Sequence, residues 1–485
     1  MPTTTPTPRP PDRRWRDHPR RRPLVPVARP ALRAVLRAVL RAVLRAVLRA
    51  LRAVARPLLG PIRGRLWRFA PTTLARTVRW AAGVLAQIRR RRRDPRLKVA
   101  VDVLALWEAR TGVGWSLHQL LAHLADEPGL SLRLYGLSLV RAPGIPEPPE
   151  PLPAGPALER VVYEIPDDLV VGQRWLVPWV RRCEPLLLRA DGNQVTWAPN
   201  YILPPPFRQA DLPLVATVHD LAFHKVPWAV RPDTLEAMRV VLERTLHEAT
   251  LLITPTAAVR DDLVASGDAS TERVRPIHHG LGLVASSGEG DEGEGGPAQP
   301  PPGTPAEYCL HVGTVEPRKN LPVLLAAYRR LVAAGASPPP LVLAGRLGWK
   351  TEGVRREIDA GERAGWLIHF GYVDTHQLLA LYRGATLVAL PSWYEGFGLP
   401  VVEAMWSGAP VLLSDIPVFH EVAGDAARYA PPGDAAAWAD ALGELFADRK
   451  LRDELAARGR RRAEEFSWRR AAHETAAVLA EAAGR

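Results

Sequence analysis

Residues 391–405 read Pro-Ser-Trp-Tyr-Glu-Gly-Phe-Gly-Leu-Pro-Val-Val-Glu-Ala-Met. The apolar run just before them, Leu387 to Leu390, predicts a strand, and Pro400 stands where a first helical residue is preferred, so Pro400 to Ser407 predicts a helix. A strand that runs through a glycine-bearing loop into a helix is one βα unit of a parallel sheet. Gly396 and Gly398 let backbone amides approach an anion at the helix start, where the helix dipole favours negative charge. Glu395 in the loop and Glu403 in the helix have seven residues between them. Two carboxylates so placed suit the hydroxyls of a sugar and of a ribose on either side of a diphosphate.

The same alternation extends in both directions. Further on lie a strand at Pro410 to Leu413 and helices to the end. Upstream, strands are predicted at Tyr308 to Val312, Pro340 to Ala344 and Trp366 to Phe370, with a helix at Leu321 to Ala333. A separate series begins at Leu97, with strands at Leu97 to Leu106, Leu132 to Leu139, Leu214 to Val218 and Leu251 to Thr254 and a helix at Ser116 to Ala125. An acidic Gly-, Glu- and Pro-rich stretch, 285–306, divides the two series and reads as a linker. The expected fold class is α/β, two Rossmann-like domains facing across a cleft, in which ligands bind beyond the carboxyl ends of the strands.

Those ends carry the remaining candidates. Gly313-Thr-Val-Glu-Pro-Arg-Lys-Asn320 follows the first strand of the second series, so Arg318 and Lys319 sit where a diphosphate needs two cations. Alone, this cluster could be a tight turn with solvated charges; beside the Glu395 loop on one sheet edge it reads as a site. In the first series Arg110-Thr-Gly112-Val-Gly114 follows the opening strand, short of a full dinucleotide fingerprint but suited to a glycine-rich turn lining the cleft. His219-Asp220 ends the strand at Leu214 to Val218. No run has metal-ligand spacing, and there is neither a Ser-His-Asp signature nor a Walker loop.

The chain has 485 residues and a formal charge of +13, but residues 1–96 hold 26 Arg against three acids, a local +23 that leaves −10 on the remainder. The basic character belongs to a tail. Within it the four-residue repeat Arg-Ala-Val-Leu places Arg33, Arg37, Arg41, Arg45, Arg49, Arg52 and Arg56 on one arc of about 160°, opposite Leu and Val. A helix of this kind suits an anionic membrane surface, with a low-complexity tail of no function and nucleic-acid or partner binding as the rival readings and no specific nucleic acid expected. No apolar run is long enough to span a bilayer and no secretory signal opens the chain, so a cytoplasmic protein, peripheral at the inner face of the plasma membrane, is expected. Cys183 and Cys309 make no disulfide framework and are expected to pack as small apolar groups.

On these motifs residues 97–485 resemble glycosyltransferase family 4. The likeness rests on Arg110 to Gly114, His219-Asp220, Gly313 to Asn320, the Gly345-Arg346 turn and Glu395 to Glu403, and it runs almost unbroken over Leu387 to Arg428. It implies the GT-B fold: an acceptor domain at 97–284, a nucleotide-sugar domain at 307–465, and a terminal helix at 466–485 that crosses back to the first domain, with the basic tail at 1–96 outside them. It implies a retaining hexosyltransferase, with Arg318 and Lys319 on the donor diphosphate and Glu403 on the ribose. Glu395 and the amides of Phe397 and Gly398 would hold the transferred sugar, His219 would reach it from the other domain, and Gly112 and Gly114 would lie near the diphosphate. Thr254-Pro255-Thr256, where relatives carry a Ser-rich turn, departs from the pattern.

The implied donor is GDP-mannose or a UDP- or ADP-hexose and the implied acceptor a glycan or lipid-linked saccharide. No cofactor and no metal are expected, because the two cations do a metal's work on the leaving group. The alternatives are a GT-B-type epimerase or phosphorylase, or a non-catalytic membrane or nucleic-acid binder.

Overall fold

The computed structural model describes residues 82–107, 112–136, 140–141, 153–161, 163–164, 184–267, 269–281 and 298–485. The predicted tail helix at 31–56, Cys183, Arg110, Thr111 and most of the linker lie outside the described residues.

The first domain is a parallel sheet built from β1 (Leu97–Asp102), β2 (Leu130–Tyr135), β3 (Leu158–Arg160), β4 (Val195–Ala198), β5 (Leu214–Thr217), β6 (Leu251–Thr254) and β7 (Val274–Pro276), in the spatial order β3-β2-β1-β4-β5-β6-β7. The second is another parallel sheet, from β8 (Cys309–Val312), β9 (Leu341–Ala344), β10 (Leu367–Gly371), β11 (Leu387–Leu390), β12 (Val411–Ser414) and β13 (Ala427–Ala430), in the order β10-β9-β8-β11-β12-β13. Central strands such as Leu-Val-Ala-Leu at β11 are buried at every position, because helices cover both faces of a parallel sheet and polar residues have nowhere to point. Each sheet reverses its winding once, between β1 and β4 and between β8 and β11. A crevice opens at such a switch point beyond the strand ends. This is the two-domain GT-B arrangement.

Helix α2 (Gly112–Leu124) covers one face of the first sheet, and the terminal helix α8 (Trp468–Ala482) crosses onto the same face, where Trp468, Ala471, Ala472 and Leu479 join the core of Val99, Leu121 and Trp197. Strand β1 is shorter than the expected run to Leu106: the Asp102 carboxylate accepts from Leu104 N at 3.1 Å, turning the chain into a 3-10 helix at Leu104–Trp107. Strands β3, β4, β7 and β13 go beyond the sequence reading, because a polar residue breaks the apolar run in each. Cys309 is buried and its burial pushes the thiol pKa up to about 12, as for a packed apolar group.

Residues 82–92 form helix α1, which lies on the first domain although its composition is that of the tail. Ile88 is buried in a cluster with Ala100, Tyr135 and Phe207. Arg91 pairs with the fully buried Asp191 at 3.3 Å, and Arg133 Nη2 donates to Arg91 O at 2.6 Å, capping the helix end. Among the described residues no helix is long and apolar enough to cross a membrane.

Candidate functional site

The switch point of the second sheet is where the two charged loops meet. After β8 the chain makes a 3-10 turn at Pro317–Lys319 and enters helix α4 (Leu321–Ala333) through Asn320, whose φ of 54° is left-handed, a conformation asparagine tolerates better than most residues. The Asn320 amide donates to Pro391 O at 2.9 Å and Pro432 O at 2.6 Å, so the turn is tied to the loop that follows β11. Arg318 and Lys319 are thereby aimed at that loop.

There Glu395 is gripped from three sides. Arg318 Nη1 donates to its Oε2 at 2.6 Å, Lys319 Nζ to Oε1 at 2.7 Å, and Ser392 Oγ to Oε1 at 2.7 Å. Arg318 also reaches Tyr394 O at 3.1 Å and pairs with Glu316 at 2.8 Å. Burial by itself would raise the Glu395 pKa, but the charges of Arg318 and Lys319 outweigh it and bring the carboxyl down to about 2. For Arg318 burial disfavours the cation, yet Glu395, Asp220 and Glu316 reverse this and hold the guanidinium firmly protonated. Asp220 acts here from the opposite domain.

Helix α6 (Leu399–Ser407) begins at Gly398, whose φ of 89° and whose crowding by Phe419, 2.9 Å from where a Cβ would stand, admit only glycine. Pro400 lies in its first turn as expected. Glu403, in the body of this helix, is buried and accepts from Tyr382 Oη of helix α5 (Thr375–Gly384) at 2.8 Å. Burial and the Glu403 charge together push the Tyr382 pKa well above its ordinary value, so this phenol remains a donor. Phe397 is buried, its ring 5.1 Å from His279 of the first domain.

The first domain closes over this loop. His219 Nε2 bonds Pro199 O at 2.7 Å; a carbonyl only accepts, so Nε2 carries the proton and Nδ1 keeps its lone pair. Burial lowers the His219 pKa, against the Pro199 bond and the Asp220 charge, and keeps the ring neutral. Thr256 Oγ1 donates to Gly396 O at 2.9 Å and caps helix α3 (Ala257–Ala265) by accepting from Val259 N at 3.2 Å. Glu421, on helix α7 (Pro417–Ala423) of the second domain, accepts from Ala257 N at 2.7 Å, Ala258 N at 2.8 Å and His278 Nε2 at 2.7 Å. On the other side, Trp349 Nε1 donates to Ala229 O at 2.9 Å and Lys350 Nζ to Trp228 O at 2.9 Å.

Arg318, Lys319 and Glu395 thus come together, and across the domain boundary the backbone carbonyl of His219 packs against Gly396, next to Glu395. Glu403 lies one helix away, against Tyr382. Gly112 and Gly114, expected in a turn ahead of a helix, instead form the first turn of α2. Ser392, Asn320, Thr256 and Glu421 were not singled out as site residues; Ser392 and Asn320 flank the charged motifs, whereas nothing local marks Thr256 or Glu421 as partners across the cleft.

Residues 297–462 match the family model described as Glycosyl transferases group 1. The chain is 32% identical over 295 residues to O-antigen chain mannosyltransferase B of Escherichia coli, covering 58% of this chain and 72% of that one. It is 34% identical over 173 residues to the serotype-specific mannosyltransferase WbdA of Escherichia coli, where the match takes in 35% of this chain and 21% of the relative. Among solved structures, sucrose-phosphate synthase from Thermosynechococcus elongatus superposes with a TM-score of 0.58 at 20% identity, covering 80% of this chain and 99% of that one, a likeness of fold.

Proposed function

Since the chain belongs to the group 1 glycosyl transferases, we propose that it is a retaining enzyme of the family 4 type that moves a hexose, mannose in the first instance, from a nucleotide-sugar donor to a hydroxyl of a glycan or lipid-linked saccharide. The observation that carries this reading is the Glu395 carboxylate held by Arg318, Lys319 and Ser392 at the sheet's switch point. Two cations fixed on one anionic group are a preorganised receptor for a diphosphate. The mannosyltransferase name of the Escherichia coli relative supports mannose as the sugar.

Donor diphosphate takes over the cations, and Glu395, released from them, accepts from hydroxyls of the transferred hexose beside the amides of Phe397 and Gly398. Glu403 holds the ribose, with Tyr382 fixing its second oxygen. Gly112 and Gly114 bring the start of α2 near the diphosphate, and His219 contacts the sugar from the acceptor side. A donor phosphate oxygen removes the acceptor proton as the glycosidic bond to phosphate breaks and the new bond forms on the same face. Arg318, Lys319 and the start of α6 stabilise the charge that grows on the departing diphosphate in a cleft dried by closure. No metal is needed on this account. The enzyme works on the cytoplasmic side, with residues 31–56 at an anionic membrane surface where a lipid-linked acceptor is presented.

The test is a screen of nucleotide hexoses for turnover, followed by NMR of the product anomer. GDP-mannose is expected to lead, with an anomeric configuration equal to the donor's. Inverted product would overturn the retaining assignment, and a chain that turns over no nucleotide hexose would overturn the donor reading.

A further inference from the structure

We propose that His279 is a second imidazole of the sugar subsite, hydrogen-bonding a hydroxyl of the transferred hexose beside His219 and thereby helping to select it. This rests on the nucleotide-sugar reading above and extends it to a residue from another part of the first domain. His279 follows β7. Its ring is stacked on Trp468 of the terminal helix at 5.4 Å between centroids, stands edge-on to Phe397 at 5.1 Å and lies 5.8 Å from His219. Phe397 belongs to the loop whose amides are assigned to the sugar, so His279 touches that loop directly. The two imidazoles also line one small cavity with Ser116, Trp197 and Thr217, at the carboxyl edge of the first sheet.

A residue needed only to fill this place would not have to be histidine. A phenylalanine ring would stack on Trp468 and meet Phe397 equally well, so packing alone does not call for a ring with two polar nitrogens at this place. His279 is half-buried, and among the described residues its ring nitrogens take no hydrogen bond from a protein group. Burial, and less strongly the neighbouring His219 and His278, bring its pKa down to about 3, so the ring is neutral and offers one donor and one acceptor. His219, its Nε2 proton committed to Pro199 O, offers an acceptor at Nδ1. A hydroxyl between the rings can donate to His219 and accept from His279, the dual role that a sugar hydroxyl fills and an apolar group does not.

The test compares His279→Phe, which keeps the ring stack and removes both nitrogens, and His279→Gln, which restores hydrogen bonding, with the full wild-type chain. Turnover of the leading nucleotide hexose is measured alongside calorimetric binding of the bare nucleoside diphosphate. His279→Phe is expected to lower kcat/KM for the nucleotide hexose about tenfold and to move the diphosphate Kd by less than about twofold, with part of the loss recovered in His279→Gln. A like loss in both measurements, or no loss in either, would overturn the proposal, the first outcome by making His279 a packing residue. Wild-type chain that binds nucleoside diphosphate but turns over no nucleotide hexose would sink the donor reading, and this inference with it, irrespective of the variants.

Discussion

The carbonyl oxygen of His219 lies 1.9 Å from the point where a Cβ on Gly396 would stand. Neither group is the mobile end of a side chain, so Gly396→Ala forces the first domain and the Glu395 loop apart. We expect kcat to fall ~100-fold, as for comparable misplacements of reacting groups. Affinity for the nucleoside diphosphate should change less than kcat, since Arg318, Lys319 and Glu403, all of the second domain, are assigned most of the contacts to its phosphates and ribose. Steady-state kinetics with calorimetry checks this; unchanged kcat would show that closure on His219 is not required.

The Glu395 carboxyl, held at about 2 against an ordinary 4.5, gives stability a definite pH dependence. A depressed pKa contributes stability that is complete above the unfolded value and is lost as pH falls toward the folded one. The contribution is about 3 kcal/mol, and it should drain between about pH 4.5 and pH 2. Thermal midpoints of wild type and Glu395→Gln should therefore converge as the solution is acidified through that window. A constant gap would contradict the cage around this carboxylate.

Glu403→Ala should weaken donor binding by ~10- to 100-fold, the range for a lost hydrogen bond to a charged group, with a smaller effect on kcat. Glu395→Ala should show the reverse split, slowing turnover more than binding. Kinetics for both variants at saturating donor separate the two roles.

Arg318→Ala or Lys319→Ala should lower kcat ~100-fold, because these charges are most needed as the leaving group develops. Treatment with EDTA should leave wild-type turnover almost unchanged. Activity lost to the chelator and restored by Mn²⁺ would contradict the metal-free account.

The basic tail calls for two deletions. Loss of residues 1–81 should leave the domains intact but abolish sedimentation with anionic vesicles, to which each Arg near the surface contributes about 1 kcal/mol at low salt. Loss of residues 1–96 should also lower the thermal midpoint, since it strips Ile88 from its cluster and leaves Asp191 without Arg91. Removing one partner of a buried ion pair costs about 3 to 5 kcal/mol. Equal midpoints for the two deletions would make α1 dispensable.

The difference between those deletions shows where sequence reading runs out. Helix α1 is as arginine-rich as the tail before it, and only tertiary contact reveals that Arg91 faces Asp191. Strand β4 escaped because a threonine breaks Val-Thr-Trp-Ala, which lacks the aliphatic run that marks the equally short Leu-Val-Ala-Leu of β11. The segment from β11 to α6 was legible because strand, loop and helix signals agree within 21 residues, 387–407. Charge at the strand ends likewise pointed to Arg318, Lys319 and Glu395. Their mutual pairing, and the contact of Thr256 with Gly396 across 140 residues, depend on how the domains fold and meet.

Glu421 ties the mobility of the cleft to an observable far from the chemistry. The Ala257 and Ala258 amides are protected by a carboxylate from the opposite domain, so they lose that protection when the domains part. Their hydrogen-exchange rates then follow the population of the open enzyme, while deeper amides of α3 follow local or global unfolding. A ligand that holds the cleft shut should slow exchange at these two positions selectively, making the first turn of α3 an intrinsic gauge of closure.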